Sequence, residues 1–281
     1  RELPGCLDVL SYQHVYHAGN HADVLKHVVL CHILDYLNRK PRPWTYLDTH
    51  AGRGFYDLTS AAARKTGDAE SGIFRLRDAQ HIPAGLQRYL DIVAASGSGY
   101  PGSPAIAAVF ARVDDRLILY ERHPADFHQL DEASVVFGRH VRCLEGDGYH
   151  AVRACLPPLS RRGAILIDPS YELDSDYEDV VDALKAGLKR FATGIFMIWY
   201  PHLSSNDGRE LARRLQSAGD RPWLDIKLNV TDAQRANLFG SSVFVVNPPH
   251  VLAAELEVLL PILVQHLGQD ETAGFDLTQK H

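Results

Sequence analysis

The sequence predicts an α/β fold built on one mostly parallel, doubly wound β-sheet. Apolar, strand-like runs recur along the chain, and helical patterns separate most of them. The predicted strands are residues 44–47, 117–120, 141–144, 164–167, 194–200, 224–230 and 242–246. Strands that alternate with helices pair in parallel and are covered on both faces, so the runs predict a seven-stranded sheet. With 281 residues, the chain is long enough to bury a substantial core around such a sheet.

The composition is typical of a globular protein, with 46% hydrophobic and 23% charged residues. The net charge of −6 disfavours a protein that coats nucleic acid through many cationic contacts, although a selective enzyme with a local basic patch remains compatible with it. The four cysteines include no C-x-x-C pair, and the sequence shows neither a membrane-length apolar run nor a signal peptide. We therefore expect a cytoplasmic protein with reduced cysteines.

The domain organisation is predicted to be simple. Residues 1–9 show no periodicity and are expected to be a non-native or disordered extension, followed by one domain over residues 10–281. A helix is predicted between Asn20, a favourable N-cap residue with an acid three positions later, and Asn38. Residues 55–100 are rich in Ala and Arg and predict a small helical insertion after the first strand.

The first candidate site residues lie in the loop after the first predicted strand. In an open α/β sheet, ligands bind beyond the carboxyl ends of the strands. Gly52 lies in this loop, where glycine lets the backbone turn tightly and approach a ligand. The dinucleotide pattern G-x-G-x-x-G fails because Asp57 holds the third glycine position, which disfavours a nicotinamide-dependent oxidoreductase. A turn that merely needs glycine is the alternative interpretation.

Acidic residues follow the next two predicted strands. Glu121 follows the second strand, where a carboxylate can accept hydrogen bonds from both hydroxyls of a ribose. Asp147 follows the third strand, next to Gly148, and can accept a hydrogen bond from an adenine amino group. A solvated glutamate and a plain Asp-Gly turn are the alternative interpretations.

The strongest candidate follows the fourth predicted strand, in the run Asp168-Pro169-Ser170-Tyr171. An amino nitrogen conjugated to an aromatic ring needs its lone pair released before it can attack a methyl group. The Asp168 carboxylate and the Pro169 carbonyl can hold its N–H groups, and Tyr171 offers a ring on which a base can stack. Such a turn also arises by chance, but its place after three strand ends that carry acids or glycines favours a site.

A second run of similar composition, residues 247–250, is interpreted as a strand-to-helix turn. It follows the last predicted strand, and it has His250 where an aromatic platform for a base is expected.

Four N-terminal histidines are not expected to bind a metal ion. They are His14, His17, His21 and His27. Neither an H-E-x-x-H pattern nor a cysteine partner accompanies them, so no metal is expected. We expect instead a polar segment that faces the substrate, with Lys26 available to a carboxylate or phosphate, and the alternative is a solvated tail.

Several motifs resemble one known family. The run Leu10-Ser11-Tyr12-Gln13-His14, followed by His17-Ala18-Gly19-Asn20-His21-Ala22-Asp23-Val24-Leu25-Lys26-His27, resembles the start of the RlmJ family of bacterial 23S rRNA adenine-N6 methyltransferases. Further similar segments are residues 46–52, 100–104, Glu121 with 123–124, 160–163, 167–172, 189–194 and 199–201. They occur in order from Leu10 to about Pro249, so the resemblance covers nearly the whole chain.

The resemblance implies a class I S-adenosylmethionine-dependent methyltransferase, with a Rossmann-like, seven-stranded sheet and a small helical insertion. It implies that the cofactor lies against His27, His50, Ser103, Glu121, Asp147, Gly148 and Asp168, and the strand-end pattern adds Gly52 to these cofactor residues. It implies that Asp168 has the central catalytic role, which agrees with the roles that the strand-end pattern predicts for Asp168, Pro169 and Tyr171. The resemblance also implies that Tyr12, His14 and Lys26 contact the substrate. The family usually has D-P-P-Y, and Ser170 departs from that pattern.

The expected function is methyl transfer from S-adenosylmethionine to N6 of an adenine in 23S rRNA, by a cytoplasmic monomer that needs no metal. Two alternatives stay open because the family has also carried labels of competence and use of external DNA. One is a DNA adenine-N6 methyltransferase. The other is a non-enzymatic DNA-uptake or utilisation factor on a methyltransferase scaffold, which Ser170 alone favours.

Overall fold

The computed structural model describes residues 13–80, 82–97, 99–206 and 208–281. Tyr12 and the predicted extension at residues 1–9 lie outside these ranges. The strands of the described chain are β1 (Thr45–Asp48), β2 (Phe55–Asp57), β3 (Gly99–Pro101), β4 (Arg116–Glu121), β5 (Val141–Glu145), β6 (Gly163–Ile167), β7 (Ile195–Leu203), β8 (Trp223–Asn229), β9 (Leu238–Val246) and β10 (Gly274–Lys280).

The helices of the described chain are α1 (His21–Asn38), α2 (Ala61–Thr66), α3 (Asp68–Ser71), α4 (Ala84–Ala95), α5 (Ser103–Phe110), α6 (Pro124–Phe137), α7 (Gly148–Cys155), α8 (Asp176–Arg190), α9 (Arg209–Gln216) and α10 (Leu252–Leu267). Helix α1 begins where the sequence predicts, because the Asn20 side chain accepts a hydrogen bond from the Asp23 amide at 2.9 Å. Within the described ranges, no helix is both long enough and apolar enough to cross a membrane.

The main sheet has β1 near its centre. Across the described residues its eight strands follow the order β10-β8-β9-β7-β6-β1-β4-β5. Parallel pairing joins β5, β4, β1, β6 and β7, whereas β9, β8 and β10 are added through antiparallel pairings. The predicted mostly parallel α/β sheet is confirmed. Because the five parallel strands point the same way, their carboxyl ends meet at one edge.

The predicted count of seven strands is wrong by one. Strand β10 pairs with β8 at the edge of the sheet, from Gly274 opposite Asn229 to Lys280 opposite Trp223. Its sequence contains only two large apolar residues, Phe275 and Leu277, and most of its side chains are exposed. An edge strand of this kind is held by backbone hydrogen bonds, so it leaves little hydrophobic pattern to detect.

Two hydrophobic layers cover the two faces of the sheet. One layer joins the sheet to α1, α4, α5 and α10, and the other joins it to α7, α8 and α9. Residues 247–250, the run after β9 that resembles Asp168-Pro169-Ser170-Tyr171 in composition, form a turn as predicted and are not among the residues that line the cleft described below. The Asn247 amide there donates to the carbonyls of Ala192 and Gly194 at 3.0 and 2.7 Å, so it holds a strand-to-helix turn together.

The predicted helical insertion after the first strand contains α2, α3 and α4. Strands β2 and β3 close its two ends as an antiparallel pair, in which Tyr56 lies opposite Tyr100. Each strand is three residues long, which is too short to show an alternating pattern in the sequence. The pairing brings two buried tyrosines beneath the carboxyl edge of the sheet.

Candidate active site

A single cleft lies at the carboxyl edge of the parallel strands. The empty space between its walls, with the open mouth included, is about 1190 Å³. Within the described ranges, every predicted site residue except Tyr171 lines this cleft. These residues are His14, Lys26, His27, His50, Gly52, Ser103, Glu121, Asp147, Gly148, Asp168 and Pro169. The structure therefore brings together residues that are as far apart in the sequence as His14 and Pro169.

Asp168 lies directly after β6 and pairs with Lys26. The Lys26 ammonium donates to Asp168 Oδ2 at 2.6 Å and lies 2.9 Å from Asp23 Oδ1. The side chains of Lys26 and Asp168 are 7% and 12% exposed. Burial alone lowers the pKa of Lys26, but the charges of Asp168 and Asp23 outweigh it and hold that pKa above its usual range. Lys26 therefore stays positively charged beside the candidate catalytic carboxylate.

Asp23 joins Lys26 to the segment before α1. Its Oδ2 atom accepts from His14 Nε2 and from the Gly19 amide, both at 2.9 Å. Burial raises the pKa of Asp23, but His14 and Lys26 hold it well below its usual range. The sequence predicts Asp23 only as part of the N-terminal cap of the helix, because nothing local reveals its contact with Lys26.

The loop after β1 is held to β4 through Glu121. The Gly52 and His123 amides donate to the two Glu121 carboxylate oxygens at 2.7 Å each. Burial raises the pKa of Glu121. Gly52 has a φ of 63°, and a Cβ there would lie 2.1 Å from the Tyr56 hydroxyl. Only glycine fits this turn, because both the backbone conformation and the space exclude a side chain.

Asp147 caps α7 at the edge of the same cleft. Its Oδ1 atom accepts from the amides of Tyr149 and His150, at 2.8 and 3.4 Å. The next residue, Gly148, lies so close to the Thr49 carbonyl that a Cβ would be 1.8 Å from that oxygen. The loops after β1 and β5 are thus in direct contact. The N-terminus of α7, which is the positive end of the helix dipole, faces the cleft.

Two histidines in the cleft are held neutral by burial. Burial lowers the pKa of His27 to about 3 and that of His50 to about 4. His27 Nδ1 lies 2.8 Å from the Tyr100 hydroxyl, and His50 Nδ1 lies 2.8 Å from Thr49 Oγ1. Neutral imidazoles can each offer one donor and one acceptor to an uncharged polar ligand group.

Asp48, at the end of β1, is a buried acid that sequence reasoning missed. Its Oδ2 atom accepts from the Ser103 and Tyr46 hydroxyls at 2.7 and 2.8 Å. Burial raises its pKa to about 6, although these hydrogen bonds oppose the shift. Asp48 directly follows the predicted strand at residues 44–47 and precedes the loop that contains His50, and this position is the signal that could have identified it.

The placement of Tyr171 differs from the prediction. Its ring is 8% exposed, it belongs to the hydrophobic layer that includes α8, and its hydroxyl donates to the Trp199 carbonyl at 2.7 Å. The backbone at Tyr171 has a φ of 56°, in the left-handed region, and its side chain is directed into the protein. Trp199 and Tyr149 line the cleft instead. Sequence reasoning gave neither ring a role, because both lie inside regular elements.

The cleft suits S-adenosylmethionine by the chemistry of its polar groups. A ribose needs a carboxylate acceptor, which Glu121 can supply, and an adenine amino group needs an acceptor such as Asp147. The α-carboxylate of the cofactor needs a donor, and the Lys26 ammonium, which has a third N–H beyond its contacts with Asp23 and Asp168, lies in the same cleft. Among the residues that the structure describes, no three His, Cys, Asp or Glu side chains come together as a metal site requires.

The strand order, with antiparallel β9 beside β7, and the cleft at the carboxyl ends of β1, β4, β5 and β6 define a class I, S-adenosylmethionine-dependent methyltransferase. Comparison with known sequences gives the family. A family model described as Ribosomal RNA large subunit methyltransferase D, RlmJ, matches residues 41–278. The chain belongs to this RlmJ family of methyltransferases.

Three relatives show how far the similarity extends. The chain is 41% identical over 279 residues to Ribosomal RNA large subunit methyltransferase J of Haemophilus influenzae, covering 95% of this chain and 97% of that protein. It is 43% identical over 261 residues to the protein of the same name from Escherichia coli, covering 91% and 93%. A crystal structure of a Legionella pneumophila protein superposes with a TM-score of 0.85 at 30% identity, covering 93% of this chain and 98% of that chain.

Proposed function

We propose that this protein transfers a methyl group from S-adenosylmethionine to N6 of an adenine in 23S rRNA. The observation that carries the proposal is the partly buried Lys26–Asp168 pair, with Pro169 next to it, in the cleft that also contains Glu121 and Asp147. The two named relatives favour ribosomal RNA as the substrate, because both are called large subunit methyltransferases.

Asp168 and Pro169 are proposed to hold the amino group of the target adenine. In the described residues, Asp168 Oδ2 accepts from Lys26, whereas Oδ1 makes no hydrogen bond. Oδ1 and the Pro169 carbonyl can therefore accept the two amino N–H groups, which reduces conjugation of the nitrogen lone pair with the ring. Bound S-adenosylmethionine supplies the electrophilic methyl group. The residues contribute position and fixed electrostatics in a buried cleft.

The cofactor residues are proposed to act as the strand ends suggest. Glu121 accepts from the ribose hydroxyls, Asp147 accepts from the adenine amino group, and Gly52 and Gly148 allow close approach of the backbone. His27, His50 and Ser103 complete the polar wall.

Trp199 is proposed to provide the aromatic surface for the target base, in place of Tyr171. Its ring lines the cleft, and the Lys26 ammonium lies 5.6 Å from the ring centroid. A flipped-out adenine beside Asp168 can stack on this indole. The Tyr171 ring supports this platform by packing beside the indole, with the ring centroids 6.0 Å apart.

The segment before α1 is proposed to contact the RNA through Tyr12 and His14, with Lys26 behind it. With a net charge of −6, the protein is proposed to have a small footprint on structured RNA and to act as a monomer. Because bacterial ribosomal RNA is made and processed in the cytoplasm, we place the enzyme there. Residues 10–281 are proposed to form one domain.

The test is the variant Asp168→Ala, assayed by tritium transfer from S-adenosylmethionine to a 23S rRNA transcript. We expect activity to fall to background while circular dichroism shows a folded protein, because the acceptor for the amino group is removed. The matched control is Asp225→Asn, a buried acid outside the cleft, which should keep its activity. Unchanged transfer by Asp168→Ala would refute the mechanism.

Two further arms separate the alternatives. A DNA copy of the same sequence should accept no methyl groups, and preferential methylation of DNA would favour a DNA enzyme. Calorimetry should show micromolar binding of S-adenosylmethionine. Absence of binding would favour a non-enzymatic scaffold. Mapping N6-methyladenine across 23S rRNA in cells with and without the protein would locate the target nucleotide.

A further inference from the structure

Asp23 contacts the same ammonium group as the candidate catalytic acid. We propose that Asp23 is a positioning residue of the methyl transfer, which acts through Lys26 on Asp168. The inference rests on the proposed function and deepens it.

The geometry places Lys26 between two carboxylates. Its ammonium lies 2.9 Å from Asp23 Oδ1 and 2.6 Å from Asp168 Oδ2, and the Asp23 side chain is 2% exposed. Asp23 and Lys26 are three residues apart on α1, so the helix itself fixes them on one face. Because the side chains of Asp23 and Lys26 are buried and that of Asp168 is only 12% exposed, dissolved salt screens their interactions much less than it screens surface pairs.

Asp23 shares the positive charge of Lys26 with Asp168. With both carboxylates present, one ammonium faces two negative charges, so the charge on Asp168 is only partly neutralised. If Asp23 were uncharged, the ammonium would pair with Asp168 alone, and Asp168 would be a weaker acceptor for the amino hydrogens of adenine. The low pKa of Asp23, caused by His14 and Lys26 against the opposing effect of burial, supports its ionised state.

The second oxygen of Asp23 extends the network to the segment that precedes α1. Oδ2 accepts from His14 Nε2 and from the Gly19 amide, at 2.9 Å each. One carboxylate thus connects the proposed RNA-contacting segment with the ammonium that holds Asp168.

A purely structural role explains only part of these contacts. The Asn20 side chain already caps α1, and the Gly19 amide needs only a neutral acceptor at Asp23. Neither task requires a negative charge, nor a contact with Lys26. Asparagine at position 23 keeps the shape and an acceptor oxygen and removes the charge, so it separates the two roles.

The experiment compares Asp23→Asn with wild type and with the control Asp115→Asn. Asp115 is 0% exposed, pairs with Arg112 at 2.9 Å, also three residues away, and accepts from the Trp44 amide at 2.9 Å. It precedes β4, at the opposite edge of the sheet from the cleft. For each protein we would measure kcat and KM with a 23S rRNA transcript, the Kd for S-adenosylmethionine by calorimetry, and Tm.

We expect Asp23→Asn to lower kcat by about tenfold or more, with KM for RNA and the cofactor Kd within about twofold of wild type. Asp23→Glu should recover part of this loss, because its carboxylate restores the charge near Lys26. Asp115→Asn should lower Tm and leave kcat within about twofold. Should Asp23→Asn not fold, Asp23→Ser, which keeps a short acceptor for the Gly19 amide, replaces it with the same expected loss.

The inference is overturned if the uncharged variant keeps kcat within twofold, if Asp23→Glu recovers nothing, or if Asp115→Asn loses kcat to the same degree. These results are distinguishable from failure of the proposed function. A wild-type protein that does not methylate 23S rRNA overturns the function itself. Methylation by wild type together with a fully active Asp23→Asn overturns only the role of Asp23.

Discussion

Replacing Tyr171 with phenylalanine tests which way this ring faces. The residue is 8% exposed, and its hydroxyl donates to the Trp199 carbonyl at 2.7 Å. Removing the hydroxyl leaves that buried carbonyl without this donor, which costs about 1–3 kcal/mol of unfolding free energy. In a chain of this size, each kcal/mol lowers Tm by about 2–4 °C, so Tm should fall by roughly 2–12 °C.

The assay for Tyr171→Phe pairs thermal unfolding, followed by circular dichroism, with tritium transfer to a 23S rRNA transcript. We expect methyl transfer within about twofold of wild type, because phenylalanine keeps the ring that supports Trp199. If the Tyr171 ring instead faced a base in the cleft, its hydroxyl would be accessible to water and its loss would leave Tm unchanged. An unchanged Tm combined with a reduced kcat would therefore refute the placement.

Two other predictions concern the cofactor loop and a buried acid outside the cleft. Gly52→Ala should weaken S-adenosylmethionine binding by about tenfold in calorimetry, because its Cβ would collide with the Tyr56 hydroxyl and displace the loop from Glu121; unchanged affinity would contradict this. Burial raises the pKa of Asp225 to about 6, so wild type loses stability as the pH rises from about 4 through 6. Asp225→Asn lacks this loss, so the Tm of the variant relative to wild type should rise between pH 4 and pH 6 and stay constant above about pH 7; a difference that does not change between pH 4 and pH 6 would contradict the shifted pKa.

The fold could be predicted from the alternation of strands and helices, and most of the candidate site could be predicted from where the parallel strands end. Glu121, Asp147 and Asp168 each lie at or just after the end of a parallel strand, and the carboxyl ends of such strands meet at one edge whatever the rest of the chain does. The predicted start of α1 at Asn20 is confirmed for a similar reason, since an N-cap is decided by neighbouring residues.

The features that could not be predicted depend on distant contacts or on a single dihedral angle. The left-handed φ of Tyr171 goes with a ring in the core, and no residue type in the run Asp168-Pro169-Ser170-Tyr171 reveals that angle. The Asp23 carboxylate contacts Lys26 on its own helix and His14 and Gly19 in the preceding segment, and its connection to Asp168 exists only once β6 lies against α1. The predicted roles of individual residues in binding and catalysis stay predictions.

The pairing of β2 with β3 constrains how this protein can vary. Strand β2 carries Tyr56, which lies against the Gly52 turn, and strand β3 carries Tyr100, which contacts His27. The two paired strands therefore belong to the floor of the cleft. A one-residue slip in the pairing of β2 with β3 would exchange inward and outward side chains and disrupt the cofactor wall.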